Sequence, residues 1–222
     1  SRPLTSLRKN SNTPSPSSYM PTKPARNRPN INPFETRWIR PNALEYISSE
    51  GQYVSRLLDL ALSSNKPMQI VGPHGIGKTT LAFSLCQEAI DRGTEAQHFR
   101  CGRQAFHEIR KSLETPGKLT ILDEYEQFSM WHKFRSRRMA SNSSGKVLVI
   151  THHDQGFTTL VHLKPNPEAI KAVVKRLQLK HNYREVIQPS DVETLMADHK
   201  NDYREVLFAC YDLFHQRYKK NR

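Results

Sequence analysis

The chain has 222 residues, of which 36% are apolar and 25% charged, a balance compatible with one globular domain plus polar appendages. No run of about 18 apolar residues occurs, so we expect no membrane-spanning helix. The N-terminus lacks the apolar stretch that is typical of a secretory signal. The three cysteines are odd in number and lack metal-ligand spacing, which favours structural thiols in a reducing cytoplasm.

The net charge of +13 is partly concentrated at the N-terminus. Residues 1–33 contain six Lys and Arg residues and no acidic residue, and they hold seven of the fourteen prolines. Such a segment cannot bury enough apolar surface to offset the entropy lost on ordering, so we predict a disordered basic tail. A basic protein can bind nucleic acid or an acidic protein, or it can simply carry a solvated basic surface, and composition leaves these alternatives open.

From residue 34 onward the hydrophobic pattern predicts alternating helices and strands. A helix in the second half of 42–62 comes first, followed by strands at 67–72, 94–101, 118–125, 146–153 and 158–163, with helices at 78–92, 103–113 and 126–140. This alternation implies a parallel sheet with helices on both faces. We predict an α/β core over 34–164, including an N-terminal linker, and a small helical lid over 165–222, with helices at 167–179, 191–199 and 202–218.

A phosphate-binding loop is predicted directly after the first strand. Gly72–Thr79 matches the pattern G-x-x-x-x-G-K-[ST] at every fixed position, and its glycines permit positive φ angles and close backbone approach. Successive amides of such a loop bind anions, and the following helix adds the positive end of its dipole. The predicted nucleotide-binding residues are Gly72, Pro73, His74, Gly75, Ile76, Gly77, Lys78, Thr79 and Thr80. Lys78 would reach the β- and γ-phosphates, and the Thr79 hydroxyl would be a ligand of Mg²⁺.

A second motif ends the strand predicted at 118–125. Apolar and β-branched residues lead into Asp123, which would lie at the strand tip where parallel sheets bind ligands. Asp123 is therefore the second predicted magnesium ligand. Glu124 is predicted to polarise the attacking water as a general base, which makes it a catalytic residue together with Lys78. Glu126 is the competing carboxylate, and a merely solvent-exposed Glu124 is the alternative.

The strand predicted at 146–153 ends in a third group of polar residues. Thr151 would project beside the γ-phosphate, where a hydroxyl can sense the state of the nucleotide. His152 and His153 could contact the γ-phosphate or be structural. No grouping of Cys, His and carboxylates reaches the density of a metal site made by protein ligands alone.

Lys and Arg are also clustered in the run KFRSRR, Lys133–Arg138. Its arginines could act in trans as an arginine finger, contact the phosphates of nucleic acid, or clamp a second substrate. A plain basic helix face accounts for the same residues.

Together the three strand-end motifs resemble the additional-strand, catalytic-glutamate branch of P-loop NTPases, and residues 34–217 look most like a bacterial AAA+-type ATPase. In this resemblance GPHGIGKT is the Walker A motif, LTILDE the Walker B motif, and Thr151 the sensor-1 position. The segment NDYREVLFACYDLF is similar to a lid helix that carries a sensor-2 arginine, here Arg204. NPFETRWIRP is similar to the linker that caps the nucleotide base.

The resemblance implies binding and hydrolysis of ATP with Mg²⁺, which would switch the lid and the basic surface between two states for a client. Oligomer formation is possible but not required, because no clear arginine-finger segment is found. A P-loop kinase for small molecules, with KFRSRR closing over its second substrate, is one alternative. An ATP-binding adaptor without catalysis, associated with nucleic acid, is the other.

Overall fold

The computed structural model describes residues 31–48, 53–102 and 106–220. The predicted tail, residues 1–33, lies outside this range except for its last three residues. Among these, Asn32 is buried: its side-chain amide donates to the Tyr211 carbonyl at 3.0 Å, and its side-chain oxygen accepts from the Phe34 amide at 3.0 Å. In the described part of the chain no helix combines the length and apolar character needed to cross a membrane.

Five parallel strands form one sheet in the order β2-β3-β4-β1-β5. Their bounds are β1 Met68–Val71, β2 Ala96–Arg100, β3 Leu119–Asp123, β4 Lys146–Thr151 and β5 Thr158–His162. Each strand lies within a predicted segment and is shorter than it by one to three residues. The prediction of an α/β fold with a five-stranded parallel sheet is confirmed.

Helices cover both faces of the sheet and form a separate group after it. Their bounds are α1 Thr36–Ile39, α2 Tyr53–Ser63, α3 Lys78–Asp91, α4 Phe106–Leu113, α5 Met130–Ser141, α6 Pro167–Lys180, α7 Pro189–Asp198 and α8 Tyr203–Lys220. Because side chains alternate along a strand, β3 sends Ile121 towards α2 and α3 and Leu122 towards α4 and α5. The predicted three-layer αβα arrangement follows from this alternation.

The start of α5 differs from the predicted helix at 126–140. Residues Tyr125–Gln127 form a single 3₁₀ turn, and the extended, buried Phe128 separates that turn from α5. Ser129 then caps α5, since its hydroxyl oxygen accepts from the His132 amide at 3.4 Å. The helical pattern was continuous in the sequence, but the cap and the buried Phe128 interrupt it.

The helices after the sheet have a hydrophobic core of their own. Phe214 of α8 packs edge-to-face on Phe34 with ring centroids 6.0 Å apart, and Ile39 of α1 joins the same cluster. Val174 of α6 and Val192 of α7 complete its centre. Phe34 and Ile39, which were predicted to belong to the linker of the core, therefore pack with the C-terminal helices that were predicted to form the lid.

The three cysteines, Cys86, Cys101 and Cys210, are buried and unpaired in the described chain. Burial raises the pKa of Cys210 to about 12, so its thiol is protonated at neutral pH. These properties are those of structural thiols.

Gln69 on β1 is fully buried and holds the loop between β4 and β5. The two N–H groups of its side-chain amide are shared among Asp154 Oδ1 at 2.7 Å, the Phe157 carbonyl at 3.1 Å and Thr159 Oγ1 at 3.0 Å. Its side-chain oxygen accepts from the Gln155 amide at 3.0 Å. One side chain thus satisfies four polar groups of residues 154–159.

We expect Gln69→Leu to lower the free energy of unfolding by about 3 kcal/mol, because each of several part-buried hydrogen bonds contributes about 1 kcal/mol. Urea denaturation followed by circular dichroism measures this loss. Gln87→Leu on the exposed face of α3 is the control and should change stability by less than about 0.5 kcal/mol. Equal effects of the two substitutions would contradict the role of Gln69.

Candidate active site

A cavity of about 950 Å³ opens at the carboxyl ends of the strands, between the phosphate loop, the segment before α2 and the C-terminal helices. The predicted site residues that line it are His74, Gly75, Ile76, Gly77, Lys78, Thr79, Thr80, Asp123, Glu124 and Arg204. Gly72, Pro73 and Thr151 are the predicted residues that do not line it. A cavity of this size is typical of sites for small ligands.

The loop between β1 and α3 has the backbone that a phosphate cradle requires. Gly75 and Gly77 have φ angles of 71° and 89°, in the left-handed region that favours glycine. Gly72 allows close packing of the backbone instead, because a Cβ atom there would lie 2.7 Å from Ile76 Cδ1 and 3.0 Å from the Leu163 carbonyl oxygen. Helix α3 begins at Lys78, so its N-terminal amides face the cavity region.

The ammonium group of Lys78 is enclosed by the loop itself. Its Nζ donates to the Gly72 carbonyl at 2.7 Å and to the Pro73 carbonyl at 2.5 Å, and only 7% of the residue is exposed. Burial lowers the pKa of Lys78 to about 8, against the opposing attraction of Glu126 and Asp123. The ammonium group of Lys78 is therefore weakly solvated and compensated only by two neutral carbonyl groups among its hydrogen-bond partners.

Asp123 ends β3 with its carboxylate buried and hydrogen-bonded. Its Oδ1 accepts from the Glu124 amide at 2.9 Å, and its Oδ2 lies 3.2 Å from His98 Nε2. Burial alone would raise the pKa of Asp123, but hydrogen bonds from His98, Thr79 and the Glu124 amide lower it. Asp123 is thus an ionised carboxylate beside the Thr79 hydroxyl.

Glu124 occupies a left-handed backbone conformation at φ 55° and ψ 43°, directly after β3. Arg100 at the end of β2 donates from Nε to Glu124 Oε2 at 2.6 Å, and the side-chain amide of Gln127 donates to the same oxygen. The predicted general base is therefore held at the cavity by a guanidinium group.

Glu126 lines the same cavity, and its charge acts on Lys78. Both of its carboxylate oxygens are shielded from solvent, and His152 Nδ1 contacts Oε1, although neither oxygen meets the geometry of a hydrogen bond within the described residues. Burial and the charge of Lys78 lower the pKa of His152, despite the opposing carboxylate of Glu126. The His152 ring also stacks on His74 of the loop, with centroids 3.5 Å apart. Two carboxylates thus reach the cavity in different surroundings.

Thr151 ends β4, 1% exposed, and its hydroxyl donates to the His153 carbonyl at 3.0 Å. The following residue, His152, lines the cavity in its place. The structure therefore does not bring the predicted sensor hydroxyl to the cavity surface, and the sensor role of Thr151 stays a prediction.

Helix α8 reaches the phosphate loop through its first residues. Asp202 caps the helix by accepting from the Arg204 amide at 2.9 Å, and its carboxylate fills the space that a Cβ atom at Gly75 would need. Arg204 is exposed at the cavity, with its guanidinium carbon 5.7 Å from the Phe208 ring centre. The predicted lid helix thus contacts the loop directly, through a carboxylate that sequence reasoning had not assigned to the site.

Several solved structures share this architecture. DnaA from Aquifex aeolicus bound to AMPPCP is 18% identical, with a TM-score of 0.52 over 72% of this chain and 61% of that chain. Replication initiator DnaA bound to AMPPCP and single-stranded DNA is 17% identical, with a TM-score of 0.54 over 74% of this chain and 61% of that chain. A Thermotoga maritima RuvB variant is 16% identical, with a TM-score of 0.52 over 77% of this chain and 69% of that chain.

This chain has the fold of AAA+ P-loop ATPases. The match spans about three-fifths of the length of the DnaA chains. No protein-family model matches the sequence, and no curated protein matches it either. At identities of 16–18% the similarity establishes the fold alone.

In this AAA+ fold the segment before α2 covers the phosphate loop. The Tyr46 amide donates to Ser84 Oγ of α3 at 3.1 Å, and its ring stacks on Tyr53 with centroids 6.0 Å apart. The Tyr46 ring edge lies 3.8 Å from the position of a Cβ atom on Gly77. An aromatic surface therefore lies beside the loop, where sequence reasoning expected a linker.

Asp123 at the end of β3 and Thr79 in the first turn of α3 fit a magnesium ion. Asp123 is an ionised carboxylate and Thr79 a neighbouring hydroxyl, and Mg²⁺ prefers such oxygen ligands, usually with several waters and substrate phosphates completing the shell. Their hydrogen bond, together with the placement of Thr79 in the loop, joins the predicted metal ligands to the predicted phosphate site.

Proposed function

We propose that this protein binds ATP with Mg²⁺ and hydrolyses it to drive a conformational switch on a client. The observation that carries the proposal is the convergence of Lys78, Asp123 and two further carboxylates in one cavity at the strand tips. The AMPPCP bound to the similar DnaA structures supports a nucleoside triphosphate as the ligand.

In the proposed mechanism the loop amides and Lys78 bind the β- and γ-phosphates. Lys78 would exchange its two carbonyl partners for phosphate oxygens, which compensate a buried ammonium group better because they are charged. Thr79 and Asp123 would hold Mg²⁺, which when bound neutralises phosphate charge.

The attacking water needs a carboxylate to orient it and accept its proton. Glu124 is the proposed base, and in this role its carboxylate must leave the guanidinium of Arg100, because a paired carboxylate is less able to accept a proton. Arg100 would thus keep Glu124 inactive until the substrate is positioned. Glu126 is the alternative base, since its carboxylate also lines the cavity and no guanidinium group is seen to pair with it among the described residues.

The proposed switch involves the first turn of α8. The γ-phosphate would approach the loop where the Asp202 carboxylate lies against Gly75, and like charges would push Asp202 away. Arg204, exposed two residues later, would be attracted to the same phosphate as the proposed sensor. The proposed role of Thr151 is indirect, through its bond to the His153 carbonyl in the loop beside the cavity.

A second candidate function is nucleotide binding without turnover, as in an adaptor. The ion pair of Arg100 and Glu124 favours it, because a permanently paired Glu124 would leave the site able to bind phosphates but not to activate water.

The purified chain of 222 residues, incubated with ATP, separates these functions. Release of phosphate and ADP that requires Mg²⁺ and stops with EDTA would support hydrolysis. ATP binding measured by calorimetry without phosphate release over many hours would overturn hydrolysis and support the adaptor. Transfer of labelled phosphate to a small acceptor, without release to water, would overturn it in favour of a kinase.

The lowered pKa of Lys78 gives a pH dependence of ATP affinity. Bound phosphates would raise this pKa from about 8, so binding takes up a proton at higher pH. We expect ATP affinity to fall by up to about tenfold per pH unit above about pH 8. Titration with a fluorescent ATP analogue between pH 7 and pH 9.5 measures the slope. In Lys78→Met this slope should vanish, and an unchanged slope would contradict the assignment to Lys78.

A further inference from the structure

Helix α5 presents large apolar side chains to solvent. Met130 is 81% exposed, Trp131 57% and Phe134 68%, whereas Ser136 and Ala140 form its buried side. Trp131, Phe134 and Arg138 recur at i, i+3 and i+7, so they share one side of the helix. We call Met130, Trp131, Phe134, Arg135 and Arg138 the α5 face. Adjacent exposed apolar side chains of this size mark an interaction site more often than bare surface.

The helix that carries the α5 face has basic residues and no acidic ones. Helix Met130–Ser141 contains four Lys and Arg residues and no Asp or Glu. Within the described ranges no carboxylate forms an ion pair with Arg135 or Arg138. The Arg135 guanidinium stacks over the Trp131 ring, 4.6 Å from its centre. These cations are therefore available to an anionic partner.

A second cavity, of about 540 Å³, adjoins the α5 face between α4 and α5. Arg135 and Arg138 line it, together with Arg110 and Glu114, whose charges are paired with each other at 2.9 Å. Arg135 and Arg138 thus lie beside the exposed rings and line a cavity large enough to receive a phosphate group.

We propose that the α5 face binds single-stranded nucleic acid. Unpaired bases would stack on Trp131 and Phe134, and backbone phosphates would pair with Arg135 and Arg138. A duplex offers phosphates but keeps its base faces stacked inside, so it would leave the apolar side chains unused. A second copy of this chain would bring like charges together across the same face. A flexible polyanion with flat apolar rings satisfies both the charge and the exposed side chains.

Binding at the α5 face is independent of the proposed ATPase and can be measured without nucleotide. The probes are a fluorescein-labelled 20-nucleotide oligo(dT) and a 20-base-pair duplex, titrated with the chain of 222 residues. Fluorescence anisotropy should show tighter binding of the single strand. The double variant Trp131→Ala/Phe134→Ala should weaken that binding by about tenfold or more. Tyr211→Ala, at another exposed aromatic residue, is the matched control and should leave it unchanged.

The role of the arginines has its own measurement. Arg138→Ala should reduce the slope of log affinity against log salt by about 1, and Lys175→Ala on α6 should not. Equal slopes for both variants would overturn the phosphate contact at Arg138.

Trp131 supplies a local signal that a basic tail elsewhere in the chain cannot imitate. The protein has two tryptophans, so Trp38→Phe leaves Trp131 as the sole emitter. Oligo(dT) should quench its fluorescence and saturate at the concentration seen by anisotropy. Absence of quenching, or unchanged affinity in the double variant, would overturn the proposal. A double variant that loses self-association but still binds oligo(dT) normally would overturn it in favour of an interface between copies.

Discussion

Replacement of Glu124 by Gln should lower Mg²⁺-dependent ATP turnover by about 100-fold or more, because an amide cannot accept the proton of the attacking water. ATP affinity should change by less than about threefold, since Glu124 is not proposed to bind phosphate. Single-turnover phosphate release gives the rate, and titration with a fluorescent ATP analogue gives the affinity. Gln retains the shape and one hydrogen-bond acceptor for Arg100 and Gln127, so the fold should persist.

Glu126→Gln is the matched comparison, because both carboxylates reach the cavity. We expect it to retain most of the turnover. A rate that survives in Glu124→Gln would remove Glu124 from the role of general base. A loss confined to Glu126→Gln would transfer that role to the carboxylate between Lys78 and His152.

Lys78→Met should weaken ATP binding by about 100-fold, which corresponds to about 3 kcal/mol, the contribution of a strong charge-assisted hydrogen bond. The thermal midpoint should also fall, because Met cannot donate to the Gly72 and Pro73 carbonyls, although the loss is partly offset since burial already disfavours the ammonium group. Calorimetry with ATP measures the affinity, and differential scanning calorimetry measures the midpoint.

Lys175→Met, on the exposed side of α6, is the control for the loss of one positive charge and should bind ATP normally. If both variants bound ATP as tightly as the unmodified protein, the loop would not be the phosphate site. A variant that binds ATP weakly but is also unfolded would be replaced by Lys78→Gln, which keeps a polar donor for the Gly72 and Pro73 carbonyls.

Local chain chemistry made much of the cavity predictable. Lys78 and Thr79 are positioned by a loop of consecutive residues, and Asp123 by the end of a buried strand. Each position can therefore be predicted from residues that are neighbours in the sequence. Arg100 was missed because its meeting with Glu124 depends on the register of β2 against β3, which pairs Arg100 with Asp123. No local pattern reports such a pairing.

Contacts between distant segments were equally invisible in the sequence. Asp202 lies against Gly75 only because the C-terminal helices fold back over the loop. The proposed sensor, Thr151, was chosen for its place at a strand end, but hydrogen bonding to the His153 carbonyl turns its hydroxyl away from the cavity lining. Strand-end position predicts the neighbourhood of a side chain and not its direction.

The packing of Phe34 and Ile39 with Phe214 has a mechanical consequence. These side chains tie the beginning of the described chain to α8, the same helix whose first turn contacts the phosphate loop. A rotation of α8 would therefore move two regions at once: Asp202 at the phosphate loop and the residues packed around Phe34. A phosphate that displaced Asp202 would thus also alter the packing around Phe34, through α8 rather than through the sheet.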